Sequence, residues 1–371
     1  MDMVKLTEIC NPKQWKTIQK DKFNSNGKYP VYGANGIIGY YDKFNHEHET
    51  VLIACRGTCG KVHLSLPFSY INGNAMSLDD LNEEVCSKKY LYYYLKHYDM
   101  QKIITGTSQP QITIQSLKKV CIKLHSKNVQ NEIINKLDKV QEIIDLRKRQ
   151  IEKLDELIKS QFIEMFGDPF ENTNNYNFIT FDNFMERCVD IGSNGANKTV
   201  VEHLDMKDTE DYALLVRTLN FTSNDFKNNV KYISKDAYEF FSKSKVFGGE
   251  IIFNKIGSAG INFLMPDLQR PVSLGLNQIM VKPKEINTRY LYEFLNTEYG
   301  KFQINSRVNG AVTKSIQKME LKKIPIMYPP IELQEQYDKI AKKIDKQKFE
   351  IEKSLKETEG LQESLMNKYF N

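Results

Sequence analysis

Val51-Leu52-Ile53-Ala54 leads into Gly57-Thr58-Cys59-Gly60, and two hundred residues later Ile251-Ile252-Phe253 leads into Gly257-Ser258-Ala259-Gly260. An apolar run of strand length that meets a Gly-x-x-Gly turn reads as a buried strand entering a tight loop. Its recurrence organises the chain. Tyr90-Leu91-Tyr92 and Leu95 return at the same offset as Tyr290-Leu291-Tyr292 and Leu295. The offset then becomes 204, so that Gly106 matches Gly310, Ile112 matches Ile316, Leu117-Lys118-Lys119 matches Leu321-Lys322-Lys323, Gln130 matches Gln334 and Phe166 matches Phe370. A change of four residues is what a loop insertion produces. The period is far too long for a solenoid unit. It predicts a duplicated domain, each copy carrying an appendage.

The appendage reads as a long helix. Residues 126–166 contain no Pro and no Gly, and Leu137, Ile144, Ile151, Ile158 and Met165 recur every seven residues. Ile133, Val140 and Leu154 fill the complementary seam, interrupted by Arg147 and Gln161. A heptad pattern of this length predicts a coiled coil, about 60 Å long at ~1.5 Å per residue. The second copy opens after Pro329-Pro330, residues that suit a helix start. Its seam is Ile344, Ile351 and Leu365 with Ala341 and Leu355 beside them, weakened by ~1 kcal/mol at Gly360. Neither seam is fully apolar alone, which points to the two helices pairing with each other. The alternative is that each is an amphipathic helix packed on its own domain.

The remaining segments read as mixed α and β. Thr50 to Cys55, Glu250 to Phe253, Lys119 to Leu124 and Lys323 to Tyr328 have strand character, and residues 88–98 and 289–299 have helix character. Gly33, Gly36 and Gly39 punctuate the run from Tyr29 to Tyr40, a spacing that predicts turns between short strands. The expected fold class is α+β: two globular mixed α/β domains, residues 1–125 and 168–328, joined by two long helices, 126–167 and 329–371, in an internal repeat.

The 371 residues carry 52 Lys+Arg against 47 Asp+Glu, a net charge of +5. Residues 1–125 hold 16 basic and 11 acidic groups, while the helices are balanced. A surplus on the globular part is mild support for a polyanionic partner. No stretch approaches the ~20 apolar residues of a membrane span, and the start lacks a signal-peptide pattern. Six scattered cysteines form no disulfide framework and fit a reducing cytoplasm.

Motifs for chemistry are missing. There is no P-loop and no Gly-x-Gly-x-x-Gly after a strand. Tyr328-Pro329-Pro330-Ile331 has the wrong flanks for the Asn/Asp-Pro-Pro-aromatic motif of an adenine methyltransferase. Pro266-Asp267 and Glu320-Leu321-Lys322 stand too far apart for a Mg²⁺ nuclease cluster. Cys55 and Cys59, with His63, His46 and His48, have a loose spacing for zinc, and buried small cysteines are the favoured reading. The expectation is a chain without catalytic, cofactor-binding or metal residues.

The order of globular segment, long helix, related segment, long helix resembles the specificity subunit of type I restriction–modification systems, over the whole chain. The resemblance rests on the run Tyr29 to Gly39, the two apolar strands with Gly-x-x-Gly turns, and the glycine-to-Leu-Lys-Lys segments at 106–122 and 310–326. It also rests on Pro329-Pro330-Ile331-Glu332-Leu333-Gln334-Glu335-Gln336 opening the last helix. The first copy departs from the pattern, because Ser126-Lys127-Asn128-Val129-Gln130-Asn131-Glu132 replaces the proline-led start. The resemblance implies that residues 1–125 and 168–328 are target-recognition domains, each reading one half of a split target in double-stranded DNA. It implies an antiparallel coiled coil, with pseudo-two-fold symmetry, docking two methyltransferase subunits. Restriction/translocase subunits would join these, with S-adenosylmethionine, ATP and Mg²⁺ held by the partners and none by this chain. The protein would be cytoplasmic, without membrane contact. Two domains meeting one face of DNA would stand about one helical turn apart, ~34–36 Å. The rival readings are a coiled-coil scaffold whose domains bind proteins, and an enzyme with an unrecognised site.

Base-edge contacts specify a target and phosphate contacts position the protein. In the first domain the candidates are Tyr29, Tyr32 and Asn35 of the glycine-rich run, Arg56, Thr58 and Lys61 around the Gly-x-x-Gly turn, and Ser108, Gln109 and Gln111 after Gly106. In the second they are Lys255, Ser258 and Asn262, then Arg307, Asn309, Lys314 and Ser315, with Lys198 and Arg217 added. Arg56 has the geometry for a bidentate pair with guanine, and Gln or Asn for adenine.

Overall fold

The computed structural model describes residues 2–371. Its chain divides into two compact units, residues 1–150 with 351–371 and residues 151–350. The division falls inside both long helices, which run Lys127–Phe166 and Ile331–Phe370. The two start 204 residues apart and have 40 residues each. The expected proline-led start is present in the second only, yet both helices begin at equivalent positions.

In the first unit, four antiparallel strands lie in the order Asn11–Gln14, Ala75–Asp79, Val51–Ala54, Val62–Leu64. All of Val51–Ala54 is buried, which is why this strand reads as a continuous apolar run and not as an alternation. Val51 and Ile53 face the main core, while Leu52 joins Tyr32, Ile71 and Ala75 on the other side. That second cluster backs a smaller sheet of Gly36–Tyr41, Tyr29–Gly33 and Tyr70–Ile71. The glycine-rich run is therefore one hairpin turning at Ala34-Asn35, not a series of turns. Gly39 lies within a strand, where a Cβ would stand 2.5 Å from the Phe23 ring.

The second unit repeats the main sheet with Met185–Asp190, Gln278–Pro283, Ile251–Asn254 and Asn262–Leu264. Its other sheet, in the order Lys231–Ile233, Ala213–Val216, Val272–Leu274, Lys245–Val246, has no counterpart in the periodicity read from the sequence. A two-stranded ribbon closes each unit: Asp2–Lys5 with Cys121–Leu124, and Asn177–Thr180 with Pro325–Tyr328.

Within each unit the long helices pair antiparallel. In the first, Lys136 bonds Tyr369, Gln141 bonds Gln362 and Arg147 bonds the Ser354 carbonyl, so one index falls as the other rises. In the second, Asp155 meets Lys348 and Tyr337 meets the Ile158 carbonyl. Arg147, an interruption in the apolar seam, is thereby given an acceptor at 2.6 Å. The helices also plug the domains. Ile133, Ile134 and Leu137 share the first core with Met366 and Phe370, and Ile158, Phe162 and Phe166 share the second with Tyr337, Ala341 and Ile344. The two arrangements posed by the sequence, helix on helix and helix on domain, coexist.

One glutamine locks the start of each long helix to its domain. Gln130 and Gln334 are both fully buried. Gln130 accepts from Ser87 N at 2.9 Å and donates to the Val85 and His125 carbonyls. Gln334 accepts from Asn287 N at 2.9 Å and donates to the Pro329 carbonyl at 2.8 Å. A buried polar group left without its partner is destabilising. Gln334→Ala is expected to lower stability by about 2 kcal/mol in chemical denaturation, while Glu332→Ala, at an exposed position of the same turn, should change it by less than about 0.5 kcal/mol.

Candidate nucleic-acid interface

In each unit the strand that ends in the Gly-x-x-Gly turn is tied by backbone bonds to the loop that follows Gly106 or Gly310. In the first, Thr105 and Gln111 exchange backbone bonds of 2.9 and 2.8 Å, and Ile112 N donates to the Cys55 carbonyl at 3.0 Å. In the second, Asn309 and Ser315 exchange bonds of the same lengths, and Ile316 N donates to the Lys255 carbonyl at 3.0 Å. Isolated bridges Arg56 to Gln111 and Ile256 to Ser315 complete the match. The glycines at the loop entries are required: Gly106 and Gly310 have φ of 88° and 107°. A Cβ at Gly106 would stand 2.6 Å from the Gln109 carbonyl oxygen, and one at Gly310 would collide with that of Thr313.

The first unit adds a third loop. Asn35, at the hairpin tip, accepts from Thr58 Oγ1 at 2.6 Å and from Lys61 Nζ at 3.2 Å. Asn35, Arg56, Thr58 and Lys61 are all exposed, as are Ser108, Gln109 and Gln111. Arg56 takes part in no salt bridge among the described residues. These seven candidates are brought together. Two others are not. Tyr32 is 6% exposed, and its hydroxyl accepts from Leu66 N, so it belongs to the core and offers no edge to a ligand. Tyr29 pairs with Tyr41 at the open end of the hairpin, away from Asn35, and its ring leans on Phe44. Cys55 is buried and Cys59 Sγ is directed at the Pro110 carbonyl. Among the described residues no three His, Cys, Asp or Glu groups converge as metal ligands.

The second unit handles charge differently. Asp190, 4% exposed, accepts from Lys255 Nζ at 2.7 Å, Lys318 Nζ at 2.9 Å and Ser193 Oγ at 2.9 Å. Lys255 opens the Gly257–Gly260 loop, and Lys318 follows the Gly310–Ile316 loop, so one carboxylate staples both loops. Burial alone would raise the Asp190 carboxyl, but the hydrogen bonds from Lys255, Lys318 and Ser193 outweigh it and hold the pKa at about 2. Lys255 is thus an internal partner first. Arg307 is also committed, its guanidinium bonding Gln303 and the Lys323 carbonyl. Asn262 is 5% exposed and accepts from Asn296, which removes it from any ligand-facing surface. Ser258, Asn309 and Lys314 are exposed, and Ser315 is half-buried in its bridge. Lys198 lies on a separate helix, Asn197–His203, facing Glu202 at 4.0 Å. Arg217 donates to the Asn229 carbonyl at 2.6 Å. Asp190 and Lys318 escaped the sequence reading, because only the fold brings residues 190, 255 and 318 together.

A family model described as the type I restriction modification DNA specificity domain matches residues 1–156 and 170–359. The chain belongs to this family. Among relatives of the specificity-domain chain, a Haemophilus influenzae protein named for the specificity subunit of a type I restriction enzyme is 28% identical over 123 residues, 32% of this chain and 31% of the relative. A Mycoplasma genitalium protein named for a type I specificity subunit is 29% identical over 136 residues, 36% of each chain. Each match thus spans about a third of the curated relative's length. The crystal structure of a type I restriction–modification S subunit from M. genitalium aligns with all of this chain and 96% of its own, with a TM-score of 0.62 and 19% identity. It shares the fold.

The staple in the second specificity domain has a pH signature. Asp190 is depressed from an ordinary 3.8 to about 2, which corresponds to about 2 kcal/mol of stability. A carboxylate depressed in the folded state contributes fully above its unfolded pKa, and the contribution is lost as pH falls through the folded value. Asp190→Asn should therefore be less stable than the parent by about 2 kcal/mol at pH 7. Denaturation curves of the two chains should converge between about pH 4 and pH 2.

Proposed function

We propose that this chain is the sequence-reading subunit of a type I restriction–modification complex, with one half of a split double-stranded DNA target read by each globular domain. The observation that carries the reading is the repeated loop pair. The same backbone bridges hold the same two loops in both units, while the exposed side chains on them differ. A fixed frame with variable contents is what two readers of different half-sites need, since base edges are discriminated by side-chain donors and acceptors. The exposed, unpaired Arg56 and the asparagine and glutamines around it supply such groups.

The remaining assignments follow from the same reading. Two methyltransferase subunits dock on the paired helices, whose exposed Ile143, Leu146, Leu157 and Ile163 offer apolar contact. Restriction/translocase subunits join them. Adenine-N6 methyl transfer and ATP-driven cleavage, with S-adenosylmethionine, ATP and Mg²⁺, belong to those partners, and this chain contributes no catalytic group. No helix among the described residues is long and apolar enough to cross a membrane, and the proposed site of action is DNA in the cytoplasm.

A single-molecule map of N6-methyladenine in host DNA, with the gene intact and deleted, tests the proposal. Loss of one split motif, two short half-sites around a fixed gap, is the expected result. An unchanged map, together with no salt-dependent DNA binding by the purified complex, would replace the proposal with a protein scaffold. Arg56→Ala is expected to weaken recognition of one half-site by about 1–3 kcal/mol and leave the other half unchanged. A loss equal for all sequences would make Arg56 a phosphate contact.

A further inference from the structure

Because the two units share the loop frame position by position, each side chain on it has a counterpart. Arg56, Lys61 and Ser108 of the first unit stand where the second has Ile256, Ile261 and Val312. All six are exposed. Val312, at the tip of the Gly310–Ile316 loop, is 97% exposed, and Ile256 and Ile261 are 41% and 50% exposed. Exposed apolar residues scattered singly over a surface are ordinary and need no explanation. These three are not scattered. They replace two cations and a hydroxyl at equivalent positions of one frame, and beside them Ala311 replaces Thr107.

The frame holds the three on one pair of joined loops. Ile256 bridges Ser315, and Gly257 N donates to the Lys314 carbonyl at 2.9 Å. The Gly257–Gly260 turn has Ile256 before it and Ile261 after it. Asn309 and Ser315 close the loop whose tip carries Val312. The lysine that opens the turn, Lys255, is held by Asp190 at 2.7 Å. The candidate interface of the second unit therefore offers branched aliphatic groups at the positions where the first unit offers charge.

Isoleucine and valine side chains neither donate nor accept hydrogen bonds, so they cannot read the donors and acceptors of a base edge. Nor do they hold phosphates, which are bound by cations and polar groups. Among the four bases only thymine presents an apolar group, its C5 methyl, in the major groove. The exposed Ser258, Asn309 and Lys314 lie among the three aliphatic residues on the same loops. Such a mixture suits a wet, anionic groove better than the apolar core of a protein interface. We infer that the second unit reads thymine in its half-site through the C5 methyl, with Ile256, Ile261 and Val312 as the apolar surface that receives it. The inference rests on the proposed DNA-reading function and adds the base and the contact chemistry of the second half-site.

Deoxyuridine, which is thymidine without that methyl, is the discriminating probe. The full chain with its modification subunits is used to select duplexes from a randomised library, and each thymine of the selected duplex is then replaced by deoxyuridine in turn. The expected result is a loss of binding of roughly fourfold for each methyl the loops cover, at one or more positions of one half-site. That loss should vanish in Val312→Ser or Ile256→Ser, which bind thymine and deoxyuridine alike at the same position. Both substitutions fall on exposed side chains, and the comparison of thymine with deoxyuridine on the parent needs neither. Equal binding of the two bases at every position overturns the inference while the parent's split motif upholds the proposed function. Deoxyuridine losses that persist undiminished in both variants overturn it in the same way. A parent that selects no motif overturns both.

Discussion

Phe370, one residue from the end of the chain, lies edge-on against Tyr90 and Tyr94, with ring centroids 5.6 and 5.4 Å away. Its repeat-mate Phe166 lies against Tyr290 and Tyr337 at 4.7 and 5.5 Å. Much of the structure depends on this pair of contacts. Each domain core is filled by the start of its own long helix and the end of the other, so neither core is complete within a continuous stretch of chain. Aromatic rings bury large areas, and both positions are almost fully buried. The helices are thus core elements of both units. Their antiparallel pairing follows, because a helix end closes a core only if it arrives beside the other helix's start.

On this frame the two loop pairs share a backbone and differ in electrostatics. The first unit leaves Arg56 exposed and gathers Lys61 and Thr58 on Asn35. The second spends Lys255 and Lys318 on the buried Asp190. The distinction matters because a cation already paired with a carboxylate offers less to an anionic ligand than an unpaired one. In the second unit the polar candidates left exposed on the two loops are Ser258, Asn309 and Lys314. Loops on a rigid scaffold are where function concentrates, and here the same scaffold presents two different chemistries.

Much of the organisation was legible in the sequence. The 200 and 204 offsets pair Gly57 with Gly257, Gly106 with Gly310 and Gln130 with Gln334, and each pair performs one role in the structure. Such residues are legible because their roles are local or steric: a positive φ, a helix start, an apolar face. Tyr32 and Asn262 are buried for a reason the sequence does not carry. A tyrosine beside glycines and an asparagine after a turn look like surface residues until the opposing sheet or helix is placed over them. The second unit's extra sheet was missed because its short strands have no repeat-mate to mark them.

The sequence by itself determined the duplicated α+β plan, the two long helices and the glycine loops, because periodicity, chain offset and backbone freedom are properties of neighbouring residues. Only the tertiary structure decided which polar side chains remain free at those loops. That Asp190 collects Lys255 and Lys318 depends on residues tens of positions apart. The physical reason is that burial and pairing set the availability of a charge or a donor, and both are created only when distant segments pack together.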